Sequence, residues 1–327
     1  MDIAALTMDA ARLWAGEAAI DAPLAFIDLD RTHDVPGELR LPACPVIGVG
    51  AKDHPLADHL DAVVEPPVSA ESIARQVLDH PRTAAVFVAL MRLLPSLTAE
   101  QGLAAESLAY AALQGSAEHV RWRAEQPVVQ AAAPGRVLVV RDGPCLHVTI
   151  ERPEAGNAID VAVRDQLAEA FELAALDPSI TAVSLRGAGR TFSLGADLAE
   201  FGTTPDPATA HFIRAQTLPA HALARCADKL DVHVKGGCVG SGLEMAAWAR
   251  HLTASPDAWF HLPELAMGVI PGAGGCVSLL RRIGRHRTAL LVLSGKRLSA
   301  RAASDWWLVD AIVDEVTADD GGAHVIG

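Results

Sequence analysis

Residues 236–246 read Gly236-Gly237-Cys238-Val239-Gly240-Ser241-Gly242-Leu243-Glu244-Met245-Ala246. Small residues open here onto a helix-forming run expected to extend through about Arg250. Amides at a helix N-terminus lack intrahelical acceptors and carry partial positive charge, so they stabilise an anion developing beside them. The stretch has neither the Gly-Lys-Ser/Thr of a P-loop nor the G-x-S-x-G spacing of a nucleophile elbow, which argues against Ser241 as a nucleophile. Upstream, Gly187-Ala188-Gly189-Arg190-Thr191-Phe192-Ser193-Leu194-Gly195-Ala196-Asp197-Leu198 reads as a strand entering a glycine-rich turn. Downstream, Phe260-His261-Leu262-Pro263-Glu264 leads into Gly268-Val269-Ile270-Pro271-Gly272-Ala273-Gly274-Gly275. Taken singly, a glycine cluster before a helix is also what close packing produces, and Glu244 and Glu264 also read as solvated carboxylates.

In order and spacing these three segments resemble the crotonase, or enoyl-CoA hydratase/isomerase, superfamily. A fourth, Glu151-Arg152-Pro153-Glu154-Ala155-Gly156-Asn157-Ala158-Ile159, is similar to that family's coenzyme A loop. The resemblance runs from about Arg136 to about Val316. It implies an α/β fold with a ββα-superhelix core that binds acyl-CoA thioesters as substrate, with no cofactor and no metal. By that resemblance the backbone N–H groups of Ala196 and Ser241 form an oxyanion hole. Asn157, Ala158, Leu194, Gly195, Asp197, Gly240, His261 and Gly272 are the implied coenzyme A and substrate contacts. Ser241 departs from the family's usual Gly, and its Cβ narrows the pocket. Ala155-Gly156 replaces basic residues that many members place before Asn157, and Arg281, Arg282, Arg285 and Arg287 form a cluster that either compensates or is a solvated helix face. His261 is either an extra acid–base or substrate contact or a hydrogen-bonded structural histidine.

Glu244 and Glu264 stand where the hydratase branch keeps its catalytic pair. Syn hydration of a 2-enoyl-CoA needs one group to activate water at Cβ and one to deliver a proton to Cα, which two carboxyls in different protonation states supply. Glu244 is assigned to the water and Glu264 to Cα. Isomerase, hydrolase, a cofactor-independent arylacetyl-CoA dioxygenase and a non-catalytic acyl-CoA-binding scaffold are the alternatives. The dioxygenase enters because Ala105-Glu106-Ser107-Leu108-Ala109-Tyr110, with Gly115 and Trp122, is similar to N-terminally extended members of the family.

Outward from this core, residues 1–125 read as an α/β and helical extension, 126–135 as a linker and 136–327 as the acyl-CoA domain. Short runs at 24–29, 45–50 and 61–65 are bounded by Pro, Gly and Asp as buried strands are. Ser69 is placed to cap a helix through Leu78, a second helix is expected over 83–94, and Thr98 with Gln101 has capping-box spacing for a third to about Gly115. Val137–Val140 and Leu146–Ile150 flank Asp142-Gly143-Pro144 as a hairpin. Apolar residues at 163, 167, 170, 171 and 174 mark a helix, and 180–185 reads as a strand. Asp231-Val232-His233-Val234-Lys235 is unusually polar for a core strand. Met267 and Trp306-Trp307 either line or pack beside the acyl pocket or are ordinary core. The family's usual C-terminal helices do not follow Val316, and the N-terminal region is the candidate to supply that cover. Family members assemble as trimers or hexamers, so a homo-oligomer is the implied state.

The chain has 327 residues, half of them hydrophobic, and a formal net charge of −13. That composition argues against intrinsic disorder, nucleic-acid binding and a polybasic membrane anchor. The five cysteines fall at no metal or redox spacing, and no signal peptide or membrane span is visible, so a cytoplasmic protein with free thiols is expected.

Overall fold

The computed structural model describes residues 3–14, 22–33, 39–127, 132–204 and 206–314. Strands β1 (Thr7–Met8), β2 (Ala25–Asp28), β3 (Val46–Val49) and β4 (Ala62–Val63) form a parallel sheet in that order, accompanied by the short helix α1 (Ala11–Trp14). Four helices follow: α2 (Ala70–Asp79), α3 (Pro81–Leu93), α4 (Ala99–Gln114) and α5 (Ala117–Glu125). Their ends obey the sequence. Ser69 and Thr98 each close a capping box with the third residue of their helix. Pro81 opens α3, where a missing N–H costs nothing. Helix α5 is an addition to the expected elements. It is capped by Ser116, whose hydroxyl accepts from His119 N, and it brings Glu118 to the start of α3, where the carboxylate accepts from the Arg82 and Thr83 amides at 2.9 and 3.0 Å.

The hairpin forms as expected from β5 (Arg136–Asp142) and β6 (Cys145–Glu151), with Gly143 at φ 54° in the turn. Strands β7 (Ala182–Gly187), β8 (Leu230–Val234), β10 (His251–Ala254) and β13 (Ala311–Ile312) extend it in parallel, giving the order β13-β10-β8-β7-β6-β5. A smaller sheet joins β9 (Gly237–Val239), β11 (Trp259–His261) and β12 (Leu298–Ser299). Helices α6 (Val161–Leu176), α7 (Pro207–Thr217), α8 (Pro219–Cys226), α9 (Ser241–Ala246), α10 (Gly275–Ser294) and α11 (Ala300–Asp305) complete the α/β architecture. On α6 the five periodic apolar positions are all buried. The polar strand is explained by its alternation: Leu230, Val232 and Val234 face the core, while Asp231 pairs with Arg250 and His233 bonds Thr253 and Ser255 on the other face.

One apolar core runs through both halves of the chain: Phe87, Val88 and Leu103 share a buried cluster with Val277, Leu279 and Leu290. Helices α2, α3 and α4 all pack on α10. Part of the expected linker, 128–131, and the tail from 315 onward lie outside the described residues. Among the described residues no helix is long and apolar enough to cross a membrane, and no His, Cys, Asp and Glu are grouped to hold a metal ion. All five cysteines are free thiols, and only Cys145 is more than slightly exposed.

Candidate active site

Two glycine-rich segments run side by side through a parallel bridge between Ser193 and Cys238. Val239 N donates to Ser193 O at 2.9 Å and Ser193 N to Gly237 O at 3.1 Å. Ala196 and Ser241 each stand three residues beyond their segment's bridging residue, so the shared register carries both to the same place. Gly195, at φ 95°, permits the approach, since a Cβ there would meet Val239 O at 3.1 Å. Ile159 N bonds Gly195 O and Asp197 N bonds Ile159 O, at 2.8 and 3.0 Å. These bonds use the neighbours of Ala196 and turn its own N–H to the opposite side. Ser241 is the first residue of α9, where an N–H has no intrahelical acceptor.

Both residues line a cavity of about 540 Å³ whose wall also includes Leu194, Gly195, Asp197, Gly240, Glu244, Glu264, Met267 and Gly272. Gly240 sits at φ 50°, and a Cβ there would lie 2.8 Å from Glu264 Oε1, so this glycine leaves the carboxyl its room. Glu244 Oε2 accepts from the Ala273 and Gly275 amides at 2.7 and 2.8 Å. Glu264 is 7% exposed and its Oε2 is buried with no hydrogen-bond partner. The Ser241 hydroxyl is likewise buried and unpartnered.

Burial sets the electrostatics. It lifts the Glu244 carboxyl from its ordinary range to about 7, opposed by the amides of the 272–275 turn. Glu264 is pushed well above the carboxylate range by burial first, then by the charges of Glu244 and Glu106. Both carboxyls are raised for the same first reason, burial, and they differ in what holds them: two amides bind Glu244, while Glu264 keeps a buried oxygen without a partner.

Three expected contacts are not on the cavity wall. Asn157 is fully buried, and its side chain donates to Ala188 O and Thr191 O and accepts from Arg152 N at 2.7–2.9 Å. It clamps the loop, at φ 54°, and has no polar atom left for a ligand. Ala158 offers its carbonyl to Arg152. His261 Nε2 bonds Gly295 O at 3.1 Å, the structural alternative. Nor does the arginine cluster reach the cavity. Arg282 binds Leu308 O, Ala249 O and Asp310, Arg285 binds Asp58 O, and Arg287 pairs with Glu65. Arg164 and Arg214 are the cations of the wall. Trp306 is core, its indole N–H on Pro66 O at 2.9 Å, while Trp307 is 75% exposed.

The N-terminal region reaches the site directly. Tyr110, Gln114 and Trp122 line the cavity. The Tyr110 ring lies against Gly272, where a Cβ would be 2.2 Å from its Cδ2, and Arg214 covers it at 4.5 Å from the ring centroid. His119 Nδ1 bonds Met267 O at 2.8 Å, and Trp122 meets Phe201 edge-on at 5.9 Å. The residue string 105–110 with Trp122 is the sequence signal for this contact, but Tyr110 on a plain helical stretch does not announce which wall it forms.

Comparison with known proteins agrees with the geometry. The sequence profile of the enoyl-CoA hydratase/isomerase family matches residues 142–321. The chain is similar to 2,3-dehydroadipyl-CoA hydratase of Escherichia coli (strain K12), with 35% identity over 54% of this chain and 68% of that protein. It is similar to the mevalonyl-coenzyme A hydratase SIDH of Beauveria bassiana, with 34% identity over 52% of this chain and 64% of that one. A solved enoyl-CoA hydratase/isomerase from Mycobacterium paratuberculosis superposes with a TM-score of 0.51 at 25% identity, covering 57% of this chain and 75% of that one. An enoyl-CoA hydratase/carnithine racemase from Magnetospirillum magneticum gives 0.50 at 31% identity, covering 55% and 68%. The profile match over residues 142–321, with 35% identity across 68% of the Escherichia coli hydratase, places the chain, N-terminal region aside, in the enoyl-CoA hydratase/isomerase family.

Proposed function

We propose that this protein hydrates a 2-enoyl-CoA thioester. The observation that carries the reading is two buried carboxyls, Glu244 held by amides and Glu264 with an unpartnered oxygen, on the wall of the cavity that Ala196 and Ser241 also line. The thioester oxygen accepts from the Ala196 and Ser241 N–H groups, which stabilise the enolate formed when water adds to Cβ. Ionised Glu244, anchored through Oε2, accepts a proton from that water with its other oxygen. Protonated Glu264 delivers a proton to Cα, and the proton gained by Glu244 restores Glu264, so the sum is addition of one water. The hydratase names of the relatives support this reading.

Incubation with a panel of enoyl-CoA thioesters, followed by loss of the conjugated absorbance and by product mass, tests it. Gain of one water is the expected result. Absence of hydration across the panel, or oxygen uptake with an arylacetyl-CoA, overturns it. Because Glu244 must be ionised, kcat/KM rises with pH through a limb near 7, and a limb near the ordinary carboxylate value contradicts the assignment.

The acyl end of the cavity is set by Tyr110. Tyr110→Ala opens that wall, so kcat/KM for bulkier acyl groups rises relative to crotonyl-CoA, by about tenfold for a pocket change of a few methylenes. An unchanged preference across the panel would remove Tyr110 from the acyl wall.

A further inference from the structure

The turn that starts α10 is held by two carboxylates, and one comes from the N-terminal region. Along four successive residues the amides alternate: Ala273 donates to Glu244 Oε2 at 2.7 Å, Gly274 to Glu106 Oε1 at 2.7 Å, Gly275 to Glu244 Oε2 at 2.8 Å and Cys276 to Glu106 Oε2 at 2.8 Å. Glu106 is 1% exposed, sits on α4 and lies 168 residues before its first partner. A helix N-terminus supplies about half a positive charge, which offsets part of one buried carboxylate and leaves most of the charge of two unbalanced. The groups facing this end are Tyr110 on α4, Arg214 on α7, Glu244 on α9, Glu264 on the turn after β11, and Cys276 on α10. Arg214 is their cation, but its N–H groups bond Ser107 and Gln114 rather than any of the three carboxyls. The unpartnered Glu264 Oε2 completes the wall of the same cavity, so the cluster opens onto a place for a ligand.

We propose that Glu106 is a positioning residue of the active site, which interlocks with Glu244 on the 273–276 turn and shares one proton with it. Its two amide bonds fix the turn that aims Glu244. Holding the shared proton, it leaves Glu244 ionised for the water, because both carboxylates ionised on one helix end repel without compensation. The N-terminal region is then part of the catalytic apparatus. This rests on the hydratase reading only for what Glu244 does in turnover; the coupling itself is read without substrate.

Carboxyl-carbon NMR titration of the full chain labelled with [δ-13C]glutamate, with signals assigned by single Gln replacements, is the test. In the parent protein the Glu106 and Glu244 curves each inflect where the other ionises, besides any inflection from Glu264. Glu106→Gln removes from the Glu244 curve the inflection that belongs to Glu106. Glu244→Gln does the same to Glu106, since coupling is reciprocal. A Glu244 curve unchanged in Glu106→Gln overturns the proposal. Should that variant not fold, a Glu106 curve unchanged in Glu244→Gln does so equally. In turnover, the side-chain amide that Glu106→Gln introduces would confront Cys276 N–H donor to donor and loosen the turn, so kcat falls about tenfold with KM within about twofold. If no enoyl-CoA is hydrated, the function reading fails while the titration still decides this one.

Discussion

Replacing Glu264 with glutamine lowers kcat on a 2-enoyl-CoA by about 10²–10⁴-fold, the usual worth of a positioned general acid, with KM little changed. The carboxyl is buried among Glu244 and Glu106, so it holds its proton well above the ordinary carboxylate range, and an amide of the same shape cannot deliver one to carbon. Glu244→Gln is expected to lose as much through the base. Its amide oxygen still accepts the Ala273 and Gly275 bonds, so the loss reports chemistry rather than unfolding. Stability gives an independent check. An acid whose folded pKa is raised makes folding less favourable as it ionises. For Glu244 that penalty is absent below about 4.5, grows as pH rises to about 7 and is complete above it. Glu244→Gln is therefore more stable than the parent at pH 8, by on the order of 3 kcal/mol at most, and matches it near pH 4. Denaturant midpoints at the two pH values check this; a variant destabilised at pH 8 would mean that Glu244 is a structural ion.

The second large effect is expected at the proposed oxyanion hole. Ser241→Pro deletes one N–H donor and nothing else from the backbone pattern, because the first residue of a helix has no intrahelical acceptor and proline is at home there. The ring also fills space where the thioester oxygen would bind. A kcat loss of about 10²–10³-fold is expected, as for loss of one oxyanion donor, with the melting temperature close to the parent's. Turnover within about tenfold of the parent would move the hole away from Ser241. Ser241→Gly separates donor from side chain: it keeps the N–H, so it keeps the rate.

Local structure was legible wherever neighbouring residues decide it. The period at 163, 167, 170, 171 and 174 buried one face of α6, and Thr98 with Gln101 capped α4. The helix opened by Ser241 ended sooner than its composition suggested, at Ala246, because Arg250 N is drawn to Leu230 O at 2.7 Å to start β10. Asn157 matched a family position and His261 departed from one, yet the polar atoms of both are taken by Ala188, Thr191, Arg152 and Gly295, whose approach no spacing reveals.

By itself the sequence determined the family core, because four collinear segments resemble one family in order and spacing, and through that resemblance it singled out the two glutamates and the two glycine-rich turns. Only the tertiary structure decided what stands around them. Glu106 and Tyr110 lie on an ordinary helical stretch and acquire meaning when α4 packs on α10, bringing a third carboxyl to Glu244's turn and a phenol ring onto Gly272. Burial and like charge across more than a hundred residues of sequence shift proton affinities, and neither is a property of residue type or spacing.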